Sequence, residues 1–239
     1  MLAHTAHTAI RSDASRHPPL PTRMVPPPPH RTLDATATNP LAQQMQLMGA
    51  IMAYPRNAEI FGENEPADYL YKVASGTVRT CKILSDGRRQ IGGFYLPGDI
   101  FGLEFADEHT LAAEAITDAK VLVIKRSALT ALAGRDAAIG RELYALTACE
   151  LRRVQERILL LVKSAQERVA SFLLEMAERA PAGNSIELPM SRQDIADYLG
   201  LTIETVSRTL GALESAAAIE VPTSRRIVFN RTALNRLNG

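Results

Sequence analysis

The chain has 239 residues, 46% of them apolar, and a formal net charge of +1. That length gives room for two domains with real cores. No apolar run approaches the roughly 20 residues that span a bilayer, and the start lacks the apolar core of a secretory signal. The expected setting is the cytoplasm, with no membrane partner. A charge so near zero leaves no polybasic footprint, so any affinity for a polyanion must come from local positive charge, helix N-termini and a dimer. Cys81 and Cys149 are the only cysteines, and they form no metal-ligand spacing. They read as reduced thiols, partly or fully buried. No catalytic Ser/His/Asp order, P-loop or metal motif occurs, so an enzyme is not expected.

Residues 1–40 are rich in Pro, His, Thr and Ala, include Pro26-Pro27-Pro28-Pro29, and should be disordered. His4, His7, His17 and His30 fit no compact metal site. Met24 and Met45 are candidates for the true translation start. From Pro40 to Ala53, Leu41, Met45, Met48 and Met52 recur at helical spacing and predict a short helix packed on the next domain.

From Ala58 to Lys125 the texture becomes β. Runs at Tyr69–Val73, Thr77–Leu84, Gln90–Tyr95 and Ala119–Lys125 are divided by the turn signals Ser75-Gly76, Asp86-Gly87 and Pro97-Gly98-Asp99. Closely spaced short strands predict a β-roll or jelly roll.

A long helix is expected from Asp136 to Ser164. Tyr144, Thr147, Leu151, Val154, Ile158 and Leu161 repeat at three and four residues, as in a coiled-coil seam, and predict the interface of a homodimer. Ile139, Leu143 and Leu146 form a flanking stripe suited to the roll. Glu150, Arg152, Arg153, Gln155, Glu156 and Arg157 fill the rest, which argues against a helix buried all round. Gln166–Arg179 is a further amphipathic helix, followed by a turn at Pro181-Ala182-Gly183-Asn184 and a short strand at Ile186–Leu188.

Ser191 to Glu214 reads as two short helices around a tight turn. Ser191 is the N-cap of the first, with Asp194 three residues on. Gly200 ends it, and Thr202 caps the second. Ile195, Leu199, Leu201, Val206, Leu210 and Leu213 can share one core. Ala196, Gly200 and Val206 carry the helix-turn-helix spacing, which leaves the second helix free to enter a DNA major groove. Glu204, Ser207 and Arg208 lie on one outward face. An Arg can bond guanine O6 and N7, and a Glu can accept from cytosine N4. A solvated face carries the same charges, so the whole motif bears the argument. Ile219–Val221 and Ile227–Phe229 flank a basic segment and predict a β-hairpin wing. Arg225 and Arg226 either touch phosphates or keep its tip soluble. Ser191, Arg192 and Thr202 are further candidates for phosphate contact.

Glu204-Thr205-Val206-Ser207-Arg208 resembles the E-x-x-S-R recognition helix of the Crp/Fnr superfamily, in its Fnr and FixK branch. The resemblance implies that Glu204 and Arg208 read the G·C pair of a TTGAT half-site and that Ser207 contacts a neighbouring thymine. Tyr71-x-Val73-x-x-Gly76-x-Val78 and Phe94-x-x-Pro97-Gly98-Asp99-x-x-Gly102 are similar to the cyclic-nucleotide-binding-type roll of the same family. No cysteine precedes Cys81, so the iron–sulfur cluster of Fnr itself is not expected and the likeness tilts to FixK. Relatives that bind cAMP carry an Arg-Ser pair where this chain has His109-Thr110. A neutral His cannot supply the permanent bidentate charge of Arg, so no cAMP and no other cofactor are expected.

The expected class is α+β. It comprises a tail at 1–40, a cyclic-nucleotide-binding-like jelly roll at 41–134, a dimerisation helix at 135–164 and a winged helix-turn-helix at 165–239. The expected function is a transcription regulator that binds a TTGAT-N4-ATCAA-like palindrome in double-stranded DNA as a homodimer. By the resemblance it serves oxygen-limited metabolism and contacts RNA polymerase through loops near Asp86 or Glu108. Two alternatives stay open: a sensor whose roll must first bind a small effector, and a roll whose C-terminal helices pair with protein.

Overall fold

The computed structural model describes residues 40–104, 106–179 and 183–237. The expectations for the Pro/His-rich tail and for Pro181-Ala182 lie outside the described residues.

The first helix, α1 (Pro40–Met48), buries Leu41 and Met45 as the spacing predicts. It ends at Met48, and Ala50–Tyr54 is the strand β1, so the expectation of helix as far as Ala53 was wrong. The Gly49 N–H closes the last turn on the Met45 carbonyl at 3.0 Å. A Cβ on Gly49 would lie only 2.7 Å from Leu122 Cδ1, so here the backbone itself packs on its neighbour. Pairing with a distant strand then overrides the local apolar spacing, and Ile51 and Met52 are left exposed, 66% and 48%.

The roll continues with β2 (Glu59–Phe61), β3 (Tyr69–Ser75), β4 (Val78–Ile83), β5 (Arg89–Tyr95), β6 (Ile100–Phe101), β7 (Ala112–Ala115) and β8 (Ala119–Lys125). They form two antiparallel sheets, ordered β1-β8-β3-β6 and β2-β7-β4-β5. The turn between β3 and β4 needs Gly76. Its φ is 83°, and a Cβ there would collide with the Asp118 carbonyl. Phe61, Tyr71, Val73, Val78, Tyr95, Phe101 and Val121 fill the space between the sheets.

Next come α2 (Arg126–Ala133) and α3 (Ala137–Leu160). The Asp136 carboxylate caps α3 through the Ala138 N–H at 2.8 Å. Ile139, Leu143 and Leu146 pack on Leu41, Leu70, Leu122 and Ile124, so the flanking stripe docks on the roll. The helix stops at Leu160 rather than Ser164. Leu161 is its C-cap, and the Ser164 hydroxyl accepts from the Glu167 N–H to start the next helix.

The C-terminal part contains α4 (Ala165–Arg179), β9 (Ser185–Glu187), α5 (Arg192–Leu199), α6 (Ile203–Ser215), β10 (Ile219–Glu220), β11 (Arg226–Phe229) and α7 (Arg231–Leu237). The sheet β10-β11-β9 forms the wing beside the helices. Val169, Phe172, Leu173 and Met176 of α4 share one core with Ile195, Leu199, Val206, Leu210 and Leu213.

That core also includes Cys81, Ile91, Phe94 and Ile116 of the roll. The Phe94 ring lies 5.1 Å from Tyr198 and 6.2 Å from Phe172. Ion pairs rim this contact. Asp194 of α5 takes Arg79 and Arg89, both at 2.7 Å, from the β4–β5 hairpin. Asp99 takes Arg153 of α3 and Arg179 of α4. The charged face of α3 is therefore not simply solvated: Arg153 bridges Asp99 and Glu150, and the Tyr95 hydroxyl donates to Glu150.

Candidate nucleic-acid interface

The interface is built on α5 and α6. Ser191 caps α5 in a reciprocal box. Its hydroxyl oxygen accepts from the Asp194 N–H at 3.1 Å, and the Ser191 N–H donates to Asp194 Oδ2 at 2.9 Å. The Ser191 hydroxyl also donates to Asp194 Oδ2 at 2.8 Å, so both Ser191 donors face the cap. Gly200 ends α5 in the left-handed conformation, φ 64°, and its N–H returns to the Ala196 carbonyl. Arg168 of α4 reinforces that end by donating to the Leu199 carbonyl at 3.1 Å.

Thr202 then caps α6 by accepting from the Thr205 N–H at 3.2 Å. Val206, Leu210 and Leu213 face inward and are buried, Ala196 is buried where the helices cross, and Leu201 is half-buried at the edge of this core. With the inner face fixed in this way, Glu204, Ser207 and Arg208 are all exposed on the outer face. Bonds from its own N–H and from Thr202 hold the Glu204 carboxyl below the usual carboxylate range. Glu204 is thus an ionised acceptor, and the positive end of the α6 dipole favours it there. Arg208 Nε lies 3.5 Å from the Glu204 carbonyl, at the limit of a hydrogen bond, so the guanidinium projects outward with little to restrain it. The arrangement offers an acceptor for cytosine N4 and a fork for guanine O6 and N7 on one turn.

The other predicted contact residues have varied surroundings. Arg192 opens α5 half-buried, with Nη1 buried and unpaired among the described residues. Burial without a partner lowers its pKa. Arg225 is not at a free tip: its Nη1 donates to the Pro189 carbonyl at 3.1 Å. Arg226 begins β11 and is exposed. Along α3, Tyr144, Leu151, Val154 and Ile158 are 77%, 59%, 45% and 59% exposed, Thr147 is exposed, and Leu161 follows at 61%. Sequence reasoning missed Asp194's second task, which is to seat α5 on the roll through two arginines more than 100 residues away in the chain.

The roll holds a cavity of about 180 Å³, bordered by Thr80, Tyr95, Phe101, Glu104, Glu150 and Arg157 among others. That is below the roughly 300–1,000 Å³ of typical ligand pockets. Two of these side chains are carboxylates, and Arg157 is drawn over the Tyr198 ring at 5.2 Å. His109 is buried and stacked on Phe61 at 3.6 Å, and neither ring nitrogen has a hydrogen-bond partner among the described residues. Burial pushes its pKa down, with Glu104 opposing weakly from 3.8 Å. A neutral His packed between rings and beside a carboxylate does not fit a cyclic phosphate. Among the described residues no helix is long and apolar enough to cross a membrane, and no cluster of His, Cys, Asp and Glu is suited to a metal ion.

Comparison with known proteins agrees with this architecture. Residues 51–136 match the cyclic nucleotide-binding domain, and residues 167–237 match the Crp-like helix-turn-helix domain. The nitrogen fixation regulation protein FixK of Azorhizobium caulinodans is 49% identical over 205 residues, 83% of each chain. The anaerobic regulatory protein of Pasteurella multocida is 34% identical over 187 residues, 75% of this chain and 68% of that one. The solved structure of FixK2 from Bradyrhizobium japonicum superimposes with a TM-score of 0.77 at 50% identity, covering 80% of this chain and 98% of that one. These relatives are regulators rather than enzymes. With its roll, its winged helix-turn-helix and the E-x-x-S-R helix, the chain belongs to the FixK-like branch of the Crp/Fnr family of DNA-binding transcription regulators.

Proposed function

We propose that the protein acts in the cytoplasm as a homodimer that reads a TTGAT-N4-ATCAA-like palindrome without cAMP or an iron–sulfur cluster. The division into a frame at 41–134, a pairing helix at 135–164 and a reading head at 165–239 belongs to this reading. The observation that carries it is the exposed Glu204/Ser207/Arg208 face on an α6 capped by Thr202. Arg208 and Glu204 read the G·C pair, and Ser207 makes a smaller contact to thymine. Arg192, Thr202 and Arg226 position the phosphates; Ser191 contributes through the cap, and Arg225 through the wing it anchors. Two copies pair along Tyr144, Thr147, Leu151, Val154, Ile158 and Leu161, which sets the half-sites about one helical turn apart.

The buried neutral His109 and the small carboxylate-flanked cavity support action without a cyclic nucleotide. Control of genes for oxygen-limited metabolism is supported by the names of the relatives. Asp86 and Glu108 are exposed on the roll, where RNA polymerase could be met. The test is Arg208→Ala. Binding should weaken by about 1–3 kcal/mol on the palindrome, with preference relaxed at one G·C pair. A uniform loss on every sequence would contradict base readout.

A further inference from the structure

Gly211 lies in the interior of α6, with four helical residues after it. Glycine is the least favourable helix residue after proline, so its presence there calls for a reason. The described residues supply none. Among them a Cβ built on Gly211 meets no heavy atom within 4 Å, and its φ lies outside the left-handed range. The other helical glycine among the described residues, Gly140 of α3, differs, because a Cβ there would approach the Ala133 carbonyl to 3.2 Å.

The position of Gly211 points outward. It follows Glu204, Ser207 and Arg208 by seven, four and three residues, so it continues their face of the helix. Helical side chains lean toward the N-terminus, so a side chain at 211 would stand over the turn that carries Ser207 and Arg208. Seven residues of rise put Gly211 about 10 Å along the axis from Glu204, close to the roughly 12 Å width of a major groove. With the N-terminal half of α6 against base edges, Gly211 falls at the groove wall, where the sugar–phosphate backbone runs. The next residue on this face, Ser215, turns its hydroxyl back onto the Gly211 carbonyl at 2.9 Å and so adds no projecting group.

We infer that Gly211 is a positioning residue for DNA reading: its missing side chain lets the DNA backbone lie directly on α6, so that Glu204, Ser207 and Arg208 reach the bases. This rests on the base-reading role proposed above. The test measures Gly211→Ala, Gly211→Leu and Arg208→Ala by fluorescence anisotropy on the palindrome and on a scrambled duplex at fixed salt. Thermal midpoints are taken without DNA.

Gly211→Ala should raise the midpoint by about 1–3 °C, because helix propensity improves and the unfolded chain loses freedom. It should nevertheless weaken palindrome binding by about fivefold to a hundredfold, the worth of one bidentate base contact. Gly211→Leu should weaken it further. A variant that binds the palindrome as tightly as the unsubstituted protein overturns the inference. If Arg208→Ala loses preference and Gly211→Ala does not, the inference on Gly211 alone fails. If the unsubstituted protein shows no preference for the palindrome, the base-reading role fails and the inference goes with it.

Discussion

Asp194 offers the sharpest test of how the reading head is mounted. Its side chain is 5% exposed and accepts four hydrogen bonds. Arg79 Nη1 and Arg89 Nη2 reach Oδ1 at 2.7 Å each, and the Ser191 N–H and hydroxyl reach Oδ2 at 2.9 and 2.8 Å. Asp194→Asn removes the charge at nearly constant volume. Breaking a buried ion pair from one side costs about 3–5 kcal/mol. Both guanidiniums keep a second carboxylate, Arg79 with Glu114 at 2.9 Å and Arg89 with Asp197 at 2.8 Å. The expected loss is therefore nearer 2–4 kcal/mol, roughly, including the weakened cap on α5. Urea unfolding, followed by circular dichroism and tyrosine fluorescence, measures it. A double-mutant cycle with Arg79→Met isolates the contact and should give a coupling of about 1–3 kcal/mol. A loss below about 1 kcal/mol with an additive cycle would refute the buried bridge between roll and helix-turn-helix.

Three further outcomes follow from the same geometry. Ile158→Glu puts a charge into the apolar stripe on α3 and should turn a dimer into a monomer in sedimentation at micromolar concentration; an unchanged dimer would place the pairing surface elsewhere. Burial holds the His109 pKa below its ordinary 6.5, so as pH falls through 6.5 the unfolded chain takes up a proton that the folded chain refuses. Stability should therefore decline from about pH 7 toward the folded pKa, and His109→Phe should flatten that slope in unfolding titrations. Arg192→Ala should weaken binding to palindromic and scrambled duplexes alike and reduce the salt slope by about one; a loss confined to the palindrome would make Arg192 a base reader instead.

The helix-turn-helix was legible because its signals are local. Ser191 with Asp194, Gly200 and Thr202 each fix a helix end within four residues, and the apolar spacing of α6 leaves only one outward face. The strand β1 was not legible. Ala50–Ala53 continue the spacing of α1, and only pairing with Val121–Val123, some 70 residues later, makes them β. The two-residue strand β6 and the helix α2 carry no periodicity long enough to detect. The mounting of α5 on the roll was invisible for a related reason. Arg79 and Arg89 sit in turn-bounded strands and Asp99 in the turn before β6, where charge reads as solvated surface, and their partners lie elsewhere in the chain. That a His stands where cAMP-binding relatives carry Arg was legible, but its stacking on Phe61 was not.

The measurement closest to the central claim is an anisotropy titration of purified protein, with no effector added, at salt near 150 mM. The two probes are a TTGAT-N4-ATCAA duplex and a scrambled duplex of the same composition. Tight binding to the first alone is expected, consistent with a reading face that is already exposed. Equal weak binding to both, converted to selective binding only by a small effector, would contradict it.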